Sequence, residues 1–350
     1  MSASSHILDC ANNRYHIHNK IGKGSFAKVS KGVNIATNVE VAIKHIDSRI
    51  LRDERTRDYM LREMELMKQL NHPNIVYLYD SMIVGPDIYM IFEYCSEGDL
   101  DHYLKIMPGN KISENQARYF VQQLVSGMEY LHQNKIIHRD IKPQNILLYK
   151  IEEPTGLLIL KLADFGFAKE LKDISEMSQT LCGTPLYMAP EIFRGNPYSS
   201  KADLWSLGVI IFEMVTGSYP FQIKSYSQLA SQTNQTFVIS SEIEHSLTFN
   251  CLHLIKGLIQ KDPDKRLSLL DLSQHPWLGK SLESKPLPEI SKEIDDFCII
   301  DDYEDDISHQ VIIDTFEIID DWYNDHPLLG SSTKQTSPKT SAASSGFQLD

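Results

Sequence analysis

Between Tyr15 and Tyr94 the apolar positions recur mostly at every second residue. The segments YHIHNKIG (15–22), AKVSKGVNIA (27–36), VEVAIKHID (39–47) and DIYMIFEYC (87–95) alternate, or run in β-branched and aromatic residues, between Gly, Asn and Asp breaks. That period predicts strands. One stretch departs from it: RDYMLREMELMKQL (57–70) sets Met60, Leu61, Met64 and Met67 at helical spacing, and Asn71-His72-Pro73 stops the helix. From Asp99 onward, long helical patterns dominate. SENQARYFVQQLVSGMEYLHQ (113–133) opens with Ser113 and Gln116, the signature of a capping box, and KADLWSLGVIIFEMVTG (201–217) is apolar enough for a buried central helix. The pattern therefore predicts a small β-rich part followed by a larger helical part. After His275-Pro276-Trp277 the helical period fades into Ser, Lys and Pro and then acid, which places the domain boundary near 280.

Composition changes this picture mainly at the C-terminal end. The 350 residues carry a formal charge of −13, with 42% hydrophobic content, enough for a substantial core. Residues 1–280 hold 30 Lys and Arg against 31 Asp and Glu, whereas residues 281–350 hold 4 against 16. From Glu293 to Asp325 there is no Lys or Arg, which argues against nucleic acid or an anionic membrane as that segment's partner. The last stretch, SSTKQTSPKTSAASSG, is low in complexity and predicted to be disordered. Five scattered cysteines, no apolar run near the roughly 20 residues needed to cross a bilayer, and an N-terminus without a basic and an apolar region together predict an intracellular chain.

The candidate chemistry begins at IGKGSFAKV (21–29), where Gly22 and Gly24 sit in a turn between strands and backbone amides can approach phosphate oxygens. Ala27 stands where a third glycine would be. In VAIK (41–44), Lys44 lies on a strand and could reach the α and β phosphates of a nucleotide. Glu63 in the following helix could pair with Lys44; Glu65 competes for that role, and helix phase does not choose between them. The strongest signal is HRDIKPQN (138–145), followed nineteen residues after Asn145 by DFG (164–166). Phosphoryl transfer asks a protein for alignment and charge neutralisation. Asp140 could orient a hydroxyl and accept its proton, and Lys142 could stabilise the transferring phosphoryl group. Asn145 and Asp164 could hold Mg²⁺, a hard ion suited to such oxygens.

Over residues 15–278 the chain resembles the eukaryotic protein kinases. GTPLYMAPE (183–191) is similar to the end of an activation segment, DLWSLG supplies Asp203, and Arg266 in DKRL is placed like a buried partner of Glu191. The resemblance implies an α+β bilobal fold, with a small β-rich lobe over 15–94, a larger helical lobe over 95–278, an N-terminal extension over 1–14 and a tail over 279–350. ATP would lie between the lobes, under Ile21, Gly22, Gly24 and Val29 and against Ala42. Phe92 would be the gatekeeper, Glu93, Tyr94 and Cys95 the hinge, and Asp99 would face the ribose. Lys142 and Thr184 resemble those of serine/threonine kinases. GKGSFAKV, HPNIVYLYD, EYCSEGDLDHYL, IIHRDIKPQNILL, LADFGFAK and TLCGTPLYMAPEI together resemble the Unc-51-like, autophagy-initiating kinases, as does the long hairpin LLYKIEEPTGLLILKLADFG. That resemblance implies a cytoplasmic enzyme acting on protein substrates and recruited to autophagosome-forming membranes.

Regulation is read from charge. Arg139, beside Asp140, is a cation that would call for an anion, and Lys169 is a second candidate for the same pocket. Thr180, four residues before Thr184, is where a kinase of this type would carry an activating phosphate, worth about −1.5 to −2 charges. In the tail, Phe297 and Ile300 follow Asp295-Asp296, and Phe316 and Ile319 follow Asp314. An aromatic and an aliphatic three apart in an acidic extended peptide can dock on a sheet edge. The pattern resembles the motif by which autophagy proteins bind their ubiquitin-like modifier. Packing against the kinase domain, or an acidic amphipathic helix, is the plainer reading of the same residues. Two rivals stand beside an autophagy kinase: a kinase of another pathway inhibited by its own acidic tail, and a pseudokinase scaffold.

Overall fold

The computed structural model describes residues 6–10, 13–23, 27–47, 54–151, 157–165, 169–170, 185–193, 199–221 and 237–279. The chain separates into two units, 1–292 and 293–350, and all of these residues fall in the first. Its N-terminal part is a six-stranded antiparallel sheet in the order β1-β2-β3-β4-β6-β5. The strands are β1 (His6–Asp9), β2 (Arg14–Lys23), β3 (Ala27–Asn34), β4 (Glu40–Ile46), β5 (Leu78–Val84) and β6 (Asp87–Glu93). Helix α1 (Glu54–Gln69) interrupts them, turning Met64 and Met67 into the core and ending before Asn71-His72-Pro73, as the sequence predicts. Strand β1 was not anticipated. Four residues are too few to display a period, yet His6–Asp9 pairs with Arg14–Ile17, and Leu8, Cys10 and Tyr15 form a small core with Val41, Ile43 and Ile91. Part of the predicted N-terminal extension is thus an edge strand of the sheet.

The second part is mostly helical: α2 (Leu100–Ile106), α3 (Glu114–Gln133), α4 (Pro190–Phe193), α5 (Ser200–Thr216), α6 (Ser241–Ser246), α7 (Phe249–Leu258) and α8 (Leu269–Ser273). Two short sheets accompany them, β7 (Ile136–Ile137) with β10 (Lys169–Glu170), and the hairpin β8 (Ile146–Lys150) with β9 (Leu158–Leu162). The hairpin is the one the sequence marks. α5 is buried from Ala202 through Val215 apart from Glu213, as its continuous apolar composition requires. It stops at Gly217, whose φ of 69° is left-handed and whose missing Cβ would fall 2.0 Å from the Gly109 carbonyl, so only glycine fits. Ser113 caps α3 by accepting the Gln116 N–H at 3.3 Å, but the reciprocal half of the capping box is absent. The Gln116 amide instead donates to the Tyr103 hydroxyl at 2.6 Å.

Candidate active site

Directly opposed residues of an antiparallel pair share a face. Val29 opposes Lys44, Gly22 opposes Val29, and Ala42 opposes Phe92. The alternation of β4, which buries Val41 and Ile43, leaves Ala42 and Lys44 on the other face. Val29, Ala42, Lys44 and Phe92 therefore line one surface, with Gly22 above and the half-exposed Ile21 beside it. Gly24 lies outside the described residues. The Lys44 ammonium is 2.7 Å from Glu63 Oε1, whereas Glu65 is exposed and pairs with Lys68 at 2.7 Å. Tertiary packing thus makes the choice that helix phase left open. The second oxygen of Glu63 is buried without a hydrogen-bond partner among the described residues.

Below the sheet, β7 delivers the chain into the loop 138–145. His138 is fully buried; its Nε2 lies 3.1 Å from the Ala163 carbonyl and its ring packs on Phe165 at 4.7 Å. Asp203, on α5, accepts the backbone N–H groups of His138 and Arg139, each at 3.0 Å. Those bonds hold Arg139 in the left-handed region, φ 72°, which costs a residue with a side chain about 1–2 kcal/mol. The strain turns the chain so that Asp140 follows. Asp140 Oδ2 accepts from the Asn145 amide at 2.8 Å and meets the Lys142 ammonium at 3.0 Å. Because the Asn145 NH₂ is engaged there and on the Asp140 carbonyl, its carbonyl oxygen is the end left to face a cation.

Asp164 closes the arrangement. It too is left-handed, φ 59°, and its carboxylate lies 3.4 Å from Lys44 with half of the side chain exposed. Lys44 beside it, with Lys142 adding, holds that carboxyl below the usual carboxylate range. Burial alone would lower the Lys44 ammonium, but Glu63 and Asp164 outweigh it and keep the lysine protonated. The two lobes thus meet through one cation shared by two carboxylates.

Three predicted positions are used differently from what residue type suggests. The Glu93 carboxylate turns away from Lys44's face: it accepts the Tyr77 N–H at 2.7 Å and pairs with Lys161 at 2.8 Å. Any nucleotide contact of Glu93 therefore falls to its backbone. Cys95 is buried, and burial pushes its thiol up to about 12, so it is a neutral thiol. Asp99 caps α2 by accepting the His102 N–H at 2.8 Å, leaving its other oxygen for a hydroxyl, and burial raises its carboxyl. Lys161 itself was missed; one lysine in the apolar run LILKLA is the only sequence signal of a buried cation that also reaches the Pro73 carbonyl at 3.0 Å. Lys169 lies in β10 opposite Ile137. Thr180, Phe297, Ile300, Phe316 and Ile319 lie outside the described residues.

The donor set fits a nucleotide polyphosphate with a divalent metal. One protonated lysine, a depressed carboxylate and an amide carbonyl converge, and a hard metal completes its oxygen shell from phosphates rather than from a protein cage. Comparisons with known proteins agree with that chemistry. A protein kinase domain model matches residues 15–278. The chain is 38% identical over 280 residues to the serine/threonine-protein kinase ATG1a of Arabidopsis thaliana, covering 79% of this chain and 43% of that protein. It is 40% identical over 270 residues to atg1 of Dictyostelium discoideum, covering 76% and 39%. It is 39% identical over 274 residues to ULK3 of Rattus norvegicus, covering 77% and 55%. The chain thus spans about half or less of the length of these relatives.

Proposed function

The chain belongs to the protein kinase family, and on that premise we propose that it is a serine/threonine kinase acting on protein substrates, with ATP as donor and Mg²⁺ as the metal. The observations that carry the reading are the Lys44 contact with Asp164 at 3.4 Å and the contacts of Asp140 with Asn145 and Lys142 at 2.8 and 3.0 Å, with the Lys142 charge helping to hold the Asp164 carboxyl down. Bound there, ATP and Mg²⁺ supply the transferable phosphoryl group and the positive charge that offsets its oxygens. Lys44, braced by Glu63, neutralises phosphate charge from above. Asn145 and Asp164 offer oxygens to the metal. Asp140, held at a fixed angle by the Asn145 amide, orients the attacking hydroxyl and takes its proton, while Lys142 steadies the group in transit. Phosphate on Thr180 would then regulate the site through Arg139 and Lys169. No helix among the described residues is long and apolar enough to cross a membrane.

The test is transfer from radiolabelled ATP to a mixed protein substrate, followed by phosphoamino-acid analysis. Label on serine and threonine is expected, and Asp164→Asn should reduce it about a thousandfold or more, since loss of a metal ligand removes several kcal/mol of transition-state stabilisation. No transfer above background by wild type, or label that Asp164→Asn leaves unchanged because it does not come from this chain's site, leaves a scaffold reading in its place. The finer proposal is a role in autophagy initiation, supported by the similarity to the ATG1 kinases and by the tail motif Asp295–Ile300. A pull-down of wild type and Phe297→Ala/Ile300→Ala on the ubiquitin-like modifier checks it. Equal capture of both proteins would leave a kinase of unspecified pathway.

A further inference from the structure

The described chain ends beside a surface that its next residues are chemically suited to cover. The Leu278 carbonyl accepts from Gln122 on α3 at 2.6 Å. The neighbouring Gln123 bonds the Leu158 carbonyl at 3.2 Å and the Leu160 N–H at 2.9 Å, both on β9. Tyr149 sits on the paired strand β8, opposite Ile159. Leu278 and strand β9 are thus held by adjacent glutamines of α3, one residue before the last described position.

That hairpin presents Tyr149 and Ile151, two residues apart and so on one face. Next to it, Tyr77 and Tyr79 lie two apart, with ring centroids at 5.3 Å, and Tyr149 is near enough to help raise the Tyr79 phenol after burial, the larger cause, and Glu93. The three tyrosines and Ile151 are between 37 and 45% exposed, large apolar side chains of the kind that anchor interfaces. The backbone aims Tyr79 outward: Leu78 opposes Phe92 and Asp80 opposes Ile91, so this tyrosine is the extra residue of a bulge, a device that redirects a side chain. The surface backs onto the link between lobes, because Tyr77 exchanges backbone and side-chain bonds with Glu93.

The residues that follow read SLESKPLPEISK (281–292), with Pro286 and Pro288 flanking Leu287 and Ile290 just beyond. Two prolines at this spacing favour polyproline II, a form that aromatic-lined surfaces bind at low entropic cost. Pro286 is eight residues past Leu278, a span of up to about 26 Å. We propose that residues 281–292 lie as an extended strap across Tyr77, Tyr79, Tyr149 and Ile151, with Pro286 and Pro288 against the tyrosine rings. The strap braces the back of the Glu93–Cys95 link from outside the catalytic cleft.

Cleavage of the full chain by a glutamate-specific protease, followed by mass spectrometry at Glu283 and Glu289, tests this, with a synthetic peptide of residues 279–294 as reference. In the wild-type chain both bonds should be cut at least about tenfold more slowly than in the peptide, corresponding to about 1.4 kcal/mol of docking. Tyr79→Ser/Tyr149→Ser, both at exposed positions, should restore the peptide rate while the chain still unfolds cooperatively, its thermal midpoint lowered by no more than the few degrees that loss of about 1.4 kcal/mol of docking implies. Cleavage of wild type at the peptide rate overturns the proposal, and so does protection that the tyrosine substitutions leave intact. Protection that grows with protein concentration assigns the surface to a second copy and overturns it equally.

Discussion

Two buried ion pairs in this molecule are built to opposite standards. Arg266 and Glu191 join two segments of the helical lobe, with side chains 0 and 4% exposed, through bonds of 2.7 and 2.9 Å from the two guanidinium ends. Every remaining N–H of Arg266 is also used, on the carbonyls of Gln260 and Lys201, and its plane lies over Trp205 at 5.2 Å. Lys44 and Glu63 share a single bond, leave Glu63 Oε2 without a partner among the described residues, and divide the lysine's charge with Asp164. A saturated pair has nothing left to offer a ligand. An unsaturated one beside a depressed carboxylate retains the donors and charge that a polyphosphate needs. The difference separates architecture from chemistry without reference to any motif.

Crossed substitutions test that separation, and they carry the largest expected effects. Arg266→Met should cost about 3–5 kcal/mol in urea unfolding, because Glu191 is left as a buried charge, and adding Glu191→Leu should restore part of it. Lys44→Met should instead reduce phosphoryl transfer at least about a hundredfold, with a smaller loss of stability, because the lysine is partly open to solvent and Glu63 can take up a proton in its absence. The contrast fails if Lys44→Met destabilises as much as Arg266→Met, or if Arg266→Met spares stability while abolishing activity per folded molecule.

What was legible in the sequence follows the same divide. HRDIKPQN is a short string whose members bond within a few residues of one another, Asp140 with Lys142 and Asn145, so order and spacing were enough to mark that cluster. Features that depend on distant partners were silent. Glu63 prevails over Glu65 because packing of Met64 and Met67 orients α1, which a helix read alone does not reveal. Lys161 is a lone cation in an apolar strand until Glu93 and Pro73 surround it. Strand β1 and the Tyr79 bulge are matters of register with other strands, and register is a tertiary property. The fold class was readable because its two parts differ in period, 2 against 3.6, over long stretches.

A third carboxylate sharpens the comparison with the smallest expected effect. Glu213, near the end of α5, has one neutral hydrogen-bond donor in place of a cation, the Tyr187 hydroxyl at 2.9 Å. Tyr219 stands edge-on to Tyr187 at 5.6 Å with its hydroxyl buried, and Asp101 and Lys105 face the group from α2. Burial is the leading cause that raises Glu213 from 4.5 to about 7, and Asp101 adds to it. A carboxyl raised on folding holds its proton between those two values while the unfolded chain releases it. Its favourable contribution is complete below about pH 4.5 and is lost as pH rises through 7. Glu213→Gln cannot ionise and lacks that slope. Discounted for partial exposure, the variant should gain about 1 kcal/mol relative to wild type between pH 5 and pH 8 in urea unfolding. A difference that stays flat across that interval would mean the Tyr187 hydroxyl is partner enough to keep Glu213 ionised, and that a buried carboxylate here does not require a cation.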